Sequence, residues 1–200
     1  MVRPRQFSDQ DILTAARRCI LRDGPSVSTT VIAQEVGLSQ AALFKRFGTK
    51  DDIILRALLP AETPSWILHV EKGLDERPVH IQLRDIVQRM SAFYDHMIPC
   101  LSMLRARFDP REILSRRPDL PPIRGRAALV HWFRAARREG QIRDVHPEAT
   151  ADALLGALHG RSFLKHVAPP NPVERDQDAP SVDHLVDILW HGLAPTVEAP

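Results

Sequence analysis

Apolar residues recur at intervals of three and four along nearly the whole chain, and stretches that alternate with a period of two are hard to find. The first spacing places apolar side chains on one face of an α-helix, whereas the second is typical of a β-strand. The pattern therefore predicts an all-α fold. The predicted helices cover residues 8–24, 28–36, 39–47, 49–60, 66–74, 83–99, 122–140, 147–167 and 181–193.

Polar residues and glycines mark the ends of the first helices. Ser8 stands three residues before Asp11, and Thr49 stands three before Asp52, which is the pattern of a capping box. Gly24 is followed by proline and predicts a helix end, because glycine accepts the left-handed conformation and proline cannot continue the hydrogen-bond ladder.

Prolines predict interruptions later in the chain. The helix over 83–99 is expected to end at Pro99, and the prolines and arginines of 100–122 favour a broken helix followed by a loop. The proline-rich stretch 168–180 predicts a second loop before the last helix.

The two short helices 28–36 and 39–47 have the spacing of a helix-turn-helix. Ala33 is small where two helices would cross closely, and Gly37 lies where the turn needs a positive φ that a Cβ would resist. The side chains expected to fill the core behind this turn are Ile32, Val36, Leu38, Leu43 and Phe47. An Ala-x-x-x-Gly pair also occurs in ordinary helical proteins, so the surrounding residues decide its meaning.

Charge is distributed unevenly along the chain. The formal net charge is +2, but residues 1–60 hold nine basic and six acidic groups, while the remaining 140 residues hold 18 and 19. A basic excess confined to one segment favours a polyanionic partner for that segment. Arg3 and Arg5 form a basic arm ahead of the first helix. Lys45, Arg46 and Lys50 cluster at the end of the second short helix and the start of the fourth, where they are expected to neutralise phosphates.

The exposed face of the 39–47 helix is expected to be small and polar. Small side chains let a helix enter the major groove of DNA. There Gln40 could pair with adenine, Ala41 or Ala42 could touch a thymine methyl group, and Lys45 could meet guanine or phosphate.

From Phe7 to Leu59 the chain resembles the DNA-binding domain of the TetR family of transcriptional regulators. The residues that carry the resemblance are Ile12-Leu13-x-Ala15-Ala16, Gly24, Thr29-Thr30-x-Ile32-Ala33-x-x-x-Gly37-Leu38-Ser39, Leu43-Phe44-x-x-Phe47 and Lys50-Asp51-x-Ile53. The resemblance implies a DNA-binding domain over 1–60 and an effector-binding and dimerisation domain over 61–200. It also implies a homodimer, a double-stranded DNA operator and a small-molecule effector of unknown identity.

The resemblance further implies which residues contact DNA. The positions that match the family's contacts are Thr29, Thr30, Ser39, Gln40, Lys45 and Lys50. Phe44 stands where family members commonly carry a tyrosine whose hydroxyl meets a phosphate. Phenylalanine has no hydroxyl for this purpose, so Phe44 is expected to pack against sugar or core, and affinity is expected to depend more on the arm.

Two further sets of residues are assigned to the second domain. The expected effector-binding residues are aromatic or contain sulfur: Trp66, Phe93, Tyr94, Met97, Met103, Phe108, Trp132, Phe133 and Phe163. The expected dimer seam combines small and apolar residues of the last two helices: Ala149, Ala153, Gly156, Ala157, Gly160, Val182, Leu185, Val186, Leu189 and Leu193. Core packing within one chain is the alternative for both sets.

Other classes of function receive little support from the sequence. No apolar run approaches the roughly 18 residues of a membrane span, and the amino end lacks the apolar core of a secretory signal, so a cytoplasmic protein is expected. Cys19 and Cys100 lack the spacing of a metal site, and neither a metal nor a cofactor is expected. No spacing singles out a catalytic group, so an enzyme is not expected. The alternative is a helical interaction or ligand-binding protein without sequence-specific DNA binding.

Overall fold

The computed structural model describes residues 7–116, 121–168 and 181–194. Every regular element in these ranges is an α-helix, which confirms the all-α prediction. The helices are α1 (Asp9–Asp23), α2 (Thr29–Glu35), α3 (Gln40–Phe47), α4 (Lys50–Leu58), α5 (Ser65–Val70), α6 (Val79–Arg105), α7 (Pro110–Arg116), α8 (Pro121–Arg138), α9 (Pro147–Val167) and α10 (Val182–Leu193). None of these helices combines the length and apolar character that crossing a membrane requires.

The described residues form two compact units. The first consists of 7–62 and 99–116, and the second of 63–98, 121–168 and 181–194. The domains expected from the sequence divide the chain once, after residue 60, and so assign 99–116 to the second domain. In the structure this segment packs with the first unit. One boundary between the units falls at Pro99, inside α6.

The caps expected from the sequence are present in the first unit. Asp11 N donates to Ser8 Oγ at 3.1 Å, and Ser8 N donates to Asp11 Oδ2 at 3.0 Å, which completes the capping box of α1. The hydrogen bonds from Ser8 hold the pKa of Asp11 below its usual range. Thr49 and Asp52 form the same box at α4. The first helix ends at Gly24, with φ at +86°.

The helix-turn-helix is confirmed in its turn and its core. Gly37 has φ at +65°, and the amide of Leu38 donates to the carbonyl of Ala33 at 2.9 Å, so the chain reverses within two residues. Of the five side chains expected in the core, Ile32, Val36, Leu43 and Phe47 are buried and Leu38 is half-buried. The α1 helix packs against α2 and α4 in the same unit.

The expectation that a helix ends at Pro99 is wrong, because α6 continues through this proline to Arg105. Proline inside a helix removes one hydrogen bond and costs about 3 kcal/mol. The residues on both sides compensate: Ile98, Cys100 and Leu104 are almost fully buried. Burial of three apolar side chains outweighs the local penalty.

A second core joins α5, α6, α8, α9 and α10 within the second unit. Its largest fully buried side chains are Trp132 and Phe133. Val186 and Leu193 of α10 belong to the same core, and Val182, Leu185 and Leu189 pack against it. The α10 residues of the expected dimer seam therefore pack within one chain. The helix expected over 147–167 is confirmed as α9. Most of the loop expected over 168–180 lies outside the described residues.

Candidate DNA-binding site

The third helix presents most of its circumference to solvent. Leu43 and Phe47 are buried and attach α3 to the core of the first unit, whereas Ala41 and Lys45 are exposed and Phe44 is 37% exposed. The small side chains expected for a groove-reading helix therefore lie on the accessible face. Phe44 lies on the surface rather than in the core.

The start of α3 is tied to the start of α2. Ser39 caps α3, its Oγ accepting from Ala42 N at 3.1 Å. Gln40 is the first residue of α3, and its Nε2 donates to Oγ1 of Thr29, the first residue of α2, at 2.6 Å. Thr29 is only 6% exposed, whereas Thr30 is exposed. Direct contact of Thr29 with DNA stays a prediction, and its hydroxyl contacts Gln40 in the structure.

The end of α3 is fixed by Arg46, which the sequence places with Lys45 and Lys50 among the cations expected to neutralise phosphates. Its Nη1 donates to the carbonyl of Phe7 at 2.9 Å, and its Nε donates to the carboxylate of Asp9 at the start of α1. The cation thus joins the end of α3 to the start of α1. No spacing rule connects residues 37 positions apart, so only the fold reveals this link.

The cations near α3 differ in their surroundings. Lys50 is half-buried, and its Nζ donates to the carbonyl of Ser26 at 3.1 Å. Lys45 is exposed on α3, and no ion pair to it is found among the described residues. Arg3 and Arg5 lie outside the described residues, so the basic arm stays a prediction.

Part of the sequence of the first unit matches a known family. Residues 12–57 match the family described as bacterial regulatory proteins, tetR family. The matched range contains α2, the Gly37 turn and α3 together with most of α1 and α4. The helix-turn-helix domain belongs to the tetR family.

Solved structures show that the resemblance in fold extends beyond this tetR-type domain. A TetR-family regulator from Mesorhizobium loti shares 18% identity with a TM-score of 0.68, over 93% of this chain and 96% of that one. PfmR of Thermus thermophilus shares 20% identity with a TM-score of 0.62, over 90% and 97%. The flavonoid-responsive regulator FrrA shares 16% identity with a TM-score of 0.56, over 93% and 96%. The whole chain therefore has the fold of TetR-family transcriptional regulators.

The residues expected to bind an effector are distributed over both units. Met103 and the buried Phe108 belong to the first unit together with the tetR-type domain. In the second unit, Phe163 is 44% exposed, and Trp132 and Phe133 form an edge-to-face pair within the core. Met97 is buried.

Three of the expected effector-binding residues come together in the second unit. The rings of Trp66 and Phe93 lie 6.3 Å apart, and those of Phe93 and Tyr94 lie 5.6 Å apart. The rings of Tyr94 and His159 are also nearly perpendicular, with centroids 6.1 Å apart, a contact that the sequence did not predict. Burial raises the pKa of Tyr94, so its hydroxyl stays protonated and able to donate at neutral pH. Trp66 Nε1 is buried without a hydrogen-bond partner among the described residues.

A small cleft of about 100 Å³ also opens in the second unit. It is lined by His69, Lys72, Leu74, Gln82 and Trp132, together with neighbouring residues of the same unit. Of the nine expected effector-binding residues, only Trp132 lines this cleft. The buried Gln82 amide is used by the protein itself, since its Nε2 donates to the carbonyl of Asp75 at 3.0 Å.

The last two helices leave large apolar side chains exposed. Leu164 and Val167 of α9 are 63% and 53% exposed, and Ile188 of α10 is 71% exposed. The small residues of the expected seam on α9 are exposed or half-buried: Ala149, Ala153, Gly156, Ala157 and Gly160. Ile188 was not among the residues expected at the seam. It is exposed on α10, whereas Val186 on the same helix is buried.

Proposed function

We propose that the chain is a transcriptional repressor that binds a near-palindromic DNA operator as a homodimer and leaves it when a small-molecule effector binds. The observation that carries this proposal is the exposed α3 of the tetR-type domain, with small side chains at its start and Lys45 near its end. Such a helix can enter the major groove, whose base edges distinguish all four base pairs.

The contacts divide into those that read bases and those that position the protein. Gln40 and Ala41 lie at the start of α3, where they would meet base edges. Thr30, Ser39, Lys45 and Lys50 would meet phosphates, as would the arm with Arg3 and Arg5. The Arg46 contacts with Phe7 and Asp9 support base reading by α3, because they fix the orientation of this helix before DNA binds.

The exposed apolar residues of α9 and α10 support dimerisation. Leu164, Val167 and Ile188 would be removed from water if two copies met through these helices, and the small residues of α9 would allow the helices to approach closely. Two reading helices about 34–36 Å apart would then address successive major grooves of a near-palindromic site.

The second unit is the proposed site of effector binding. The aromatic group of Trp66, Phe93 and Tyr94 would contact an apolar or aromatic ligand. One regulator of similar fold is described as flavonoid-responsive, which is compatible with such a ligand class. Release from DNA follows if the effector binds better to a state in which the two reading helices do not match the groove spacing. DNA must then weaken effector binding by the same factor by which the effector weakens DNA binding.

Selection from a random pool of DNA duplexes tests the proposal. The wild-type chain is expected to enrich a near-palindrome with half-sites one helical turn apart. The alternative, a helical interaction or ligand-binding protein without sequence-specific DNA binding, predicts no enriched sequence. Recovery of a single unrepeated half-site would instead contradict the dimeric arrangement.

Salt dependence tests the interaction with phosphates. Lys45→Ala is expected to weaken binding to every sequence. It should also make the negative slope of log K against log salt shallower by about 0.9 for each phosphate that is no longer neutralised. Lys72→Ala removes an exposed lysine of the second unit and serves as the matched control, with no change expected. Replacing Arg3 and Arg5 together by alanine should also make this slope shallower, and an unchanged slope would remove the arm from the proposal.

A further inference from the structure

We infer that Thr29 is a positioning residue that orients the Gln40 amide to read adenine, an inference that rests on the proposed DNA-binding function. The Nε2–Oγ1 distance of 2.6 Å joins a buried hydroxyl to a side chain on the exposed face of α3. Thr29 therefore acts on the reading surface without being part of it.

The hydrogen-bonding capacity of the amide determines what Gln40 presents to DNA. A glutamine amide has two N–H donors and one carbonyl oxygen. One N–H is used by Thr29, which leaves one donor and one acceptor, and no other hydrogen bond to this amide is found among the described residues. One donor and one acceptor side by side match N7 and N6 of adenine in the major groove, the pairing that Gln makes with this base.

The fixed orientation has an energetic consequence. A free glutamine side chain loses rotamer entropy when it is immobilised. Thr29 is β-branched, so its χ1 angle is restricted, and it lies at the helix start, where Ser28 caps α2 through a bond to Val31 N at 3.3 Å. A rigid acceptor on a capped helix end preorganises Gln40 before DNA arrives, which favours the matching base over the others.

The test compares Thr29→Val with Thr29→Ser. Valine keeps the shape of threonine but lacks the hydroxyl, whereas serine keeps the hydroxyl. Each variant is scored by the ratio of its affinities for the selected operator and for operators changed at each position in turn. This ratio does not depend on the folded fraction, so a merely structural role of Thr29 would leave it unchanged.

At the position that Gln40→Ala identifies, Thr29→Val is expected to lower the preference for adenine by about three- to tenfold, part of the discrimination that a bidentate pair supplies. Thr29→Ser should retain the preference, and Thr29→Val should have no further effect on it in the Gln40→Ala background. An unchanged preference in Thr29→Val, a serine variant that behaves like valine, or an effect that persists without Gln40 would each overturn the inference.

Two readouts separate this inference from the proposed function. If the wild type selects no sequence, the DNA-binding proposal itself fails, and the inference fails with it. If the wild type selects a near-palindrome that Thr29→Val selects equally well, only the inference fails. In the free protein, the Gln40 side-chain amide resonances should shift in Thr29→Val and not in Thr29→Ser, and unshifted resonances would contradict the hydrogen bond directly.

Discussion

Arg107 Nε donates to Asp51 Oδ1 at 2.8 Å, which joins the segment that follows α6 to the first turn of α4. The two residues are 56 positions apart, and both belong to the first unit. This ion pair is one reason why a segment beyond residue 98 packs with the helix-turn-helix domain. It lies at the start of α4, close to Lys50, where a phosphate contact is proposed.

Breaking this pair should destabilise the first unit modestly. Arg107→Ala and Asp51→Ala are each expected to lower the free energy of unfolding by up to about 1 kcal/mol, since both side chains are partly exposed and the pair is screened by salt. A double-mutant cycle measured by urea unfolding should give a coupling energy of about 0.5 kcal/mol that decreases at high salt. Arg105→Ala, an exposed residue at the end of α6, is the control; equal effects of both arginine variants would contradict the link.

Replacing Gly37 tests the turn between α2 and α3. Gly37→Ala is expected to lower the free energy of unfolding by about 1–2 kcal/mol, because a left-handed conformation is unfavourable for a residue with a Cβ. The cost is conformational alone, since an added Cβ would meet no atom within 4 Å. Gly37→Asn should cost less, because asparagine tolerates this region. Thermal unfolding measures both variants, and an alanine variant as stable as the wild type would contradict the assigned φ.

Gly125 is required because its neighbours leave no room for a side chain, whereas Gly37 is required for its positive φ. An added Cβ would lie 2.8 Å from Cζ2 of Trp66, a rigid ring that is almost fully buried. Gly125→Ala gains up to about 1 kcal/mol in helix propensity but overpacks the second core, which costs about 1–3 kcal/mol. Net destabilisation is therefore expected in chemical denaturation. Gly192→Ala, at a helical glycine with open space around it, should be neutral or stabilising; a similar gain for Gly125→Ala would contradict the close contact.

The Asp95 carboxylate should make the stability of the second unit depend on pH. It accepts from Ser162 Oγ at 2.9 Å and from Lys165 Nζ at 2.7 Å. Burial by itself would raise the pKa of Asp95, but the hydrogen bonds from Lys165 and Ser162 outweigh it and hold that pKa below its usual range. A lowered pKa means that the stabilisation is complete above about pH 4 and is lost as the pH falls through the folded-state value.

Asp95→Asn is therefore expected to lower the free energy of unfolding at pH 7 by about 1–2 kcal/mol. The difference from the wild type should shrink as the pH is lowered below about 4. Denaturant titrations between pH 7 and pH 3 measure it. Asp144→Asn, at a carboxylate that is 93% exposed, serves as the control with little effect expected. A difference that stays constant with pH would show that the charge of Asp95 contributes nothing.

Substitutions of exposed apolar residues on α9 and α10 test the proposed dimer. Leu164→Asp and Ile188→Asp are each expected to weaken dimerisation by at least about tenfold, because a charge would be buried in the interface without a partner. Ile123→Asp is the matched control, since Ile123 is 62% exposed on α8, outside the proposed seam. Sedimentation equilibrium of the three variants measures the effect. An equal loss in all three, or no loss in any, would contradict the proposed interface.

Much of the first unit could be predicted from local sequence. Ser8 with Asp11, Thr49 with Asp52, and Gly37 determine helix ends and a turn through interactions between residues at most a few positions apart. Such interactions depend on residue type and spacing, which are visible directly in the chain. The exposure of α3 also follows from its pattern, because only Leu43 and Phe47 fit the buried face of so short a helix.

Other features depended on residues that are distant in sequence. Pro99 stops an isolated helix, but burial of its neighbours carries α6 past it. On α10 the apolar pattern fits two faces, and only packing shows that Val186 is buried while Ile188 is exposed.

By itself, the sequence determined the all-α class, the helix-turn-helix and the positions of its caps, because these arise from local backbone preferences and periodic burial. Only the tertiary structure decided that Gln40 bonds Thr29, that Arg46 fixes α3 to the start of α1, and that Arg107 brings a later segment into the first unit. Each of these bonds joins residues that belong to different segments of the chain. Their meeting depends on how the cores pack the helices, which no single stretch of sequence specifies.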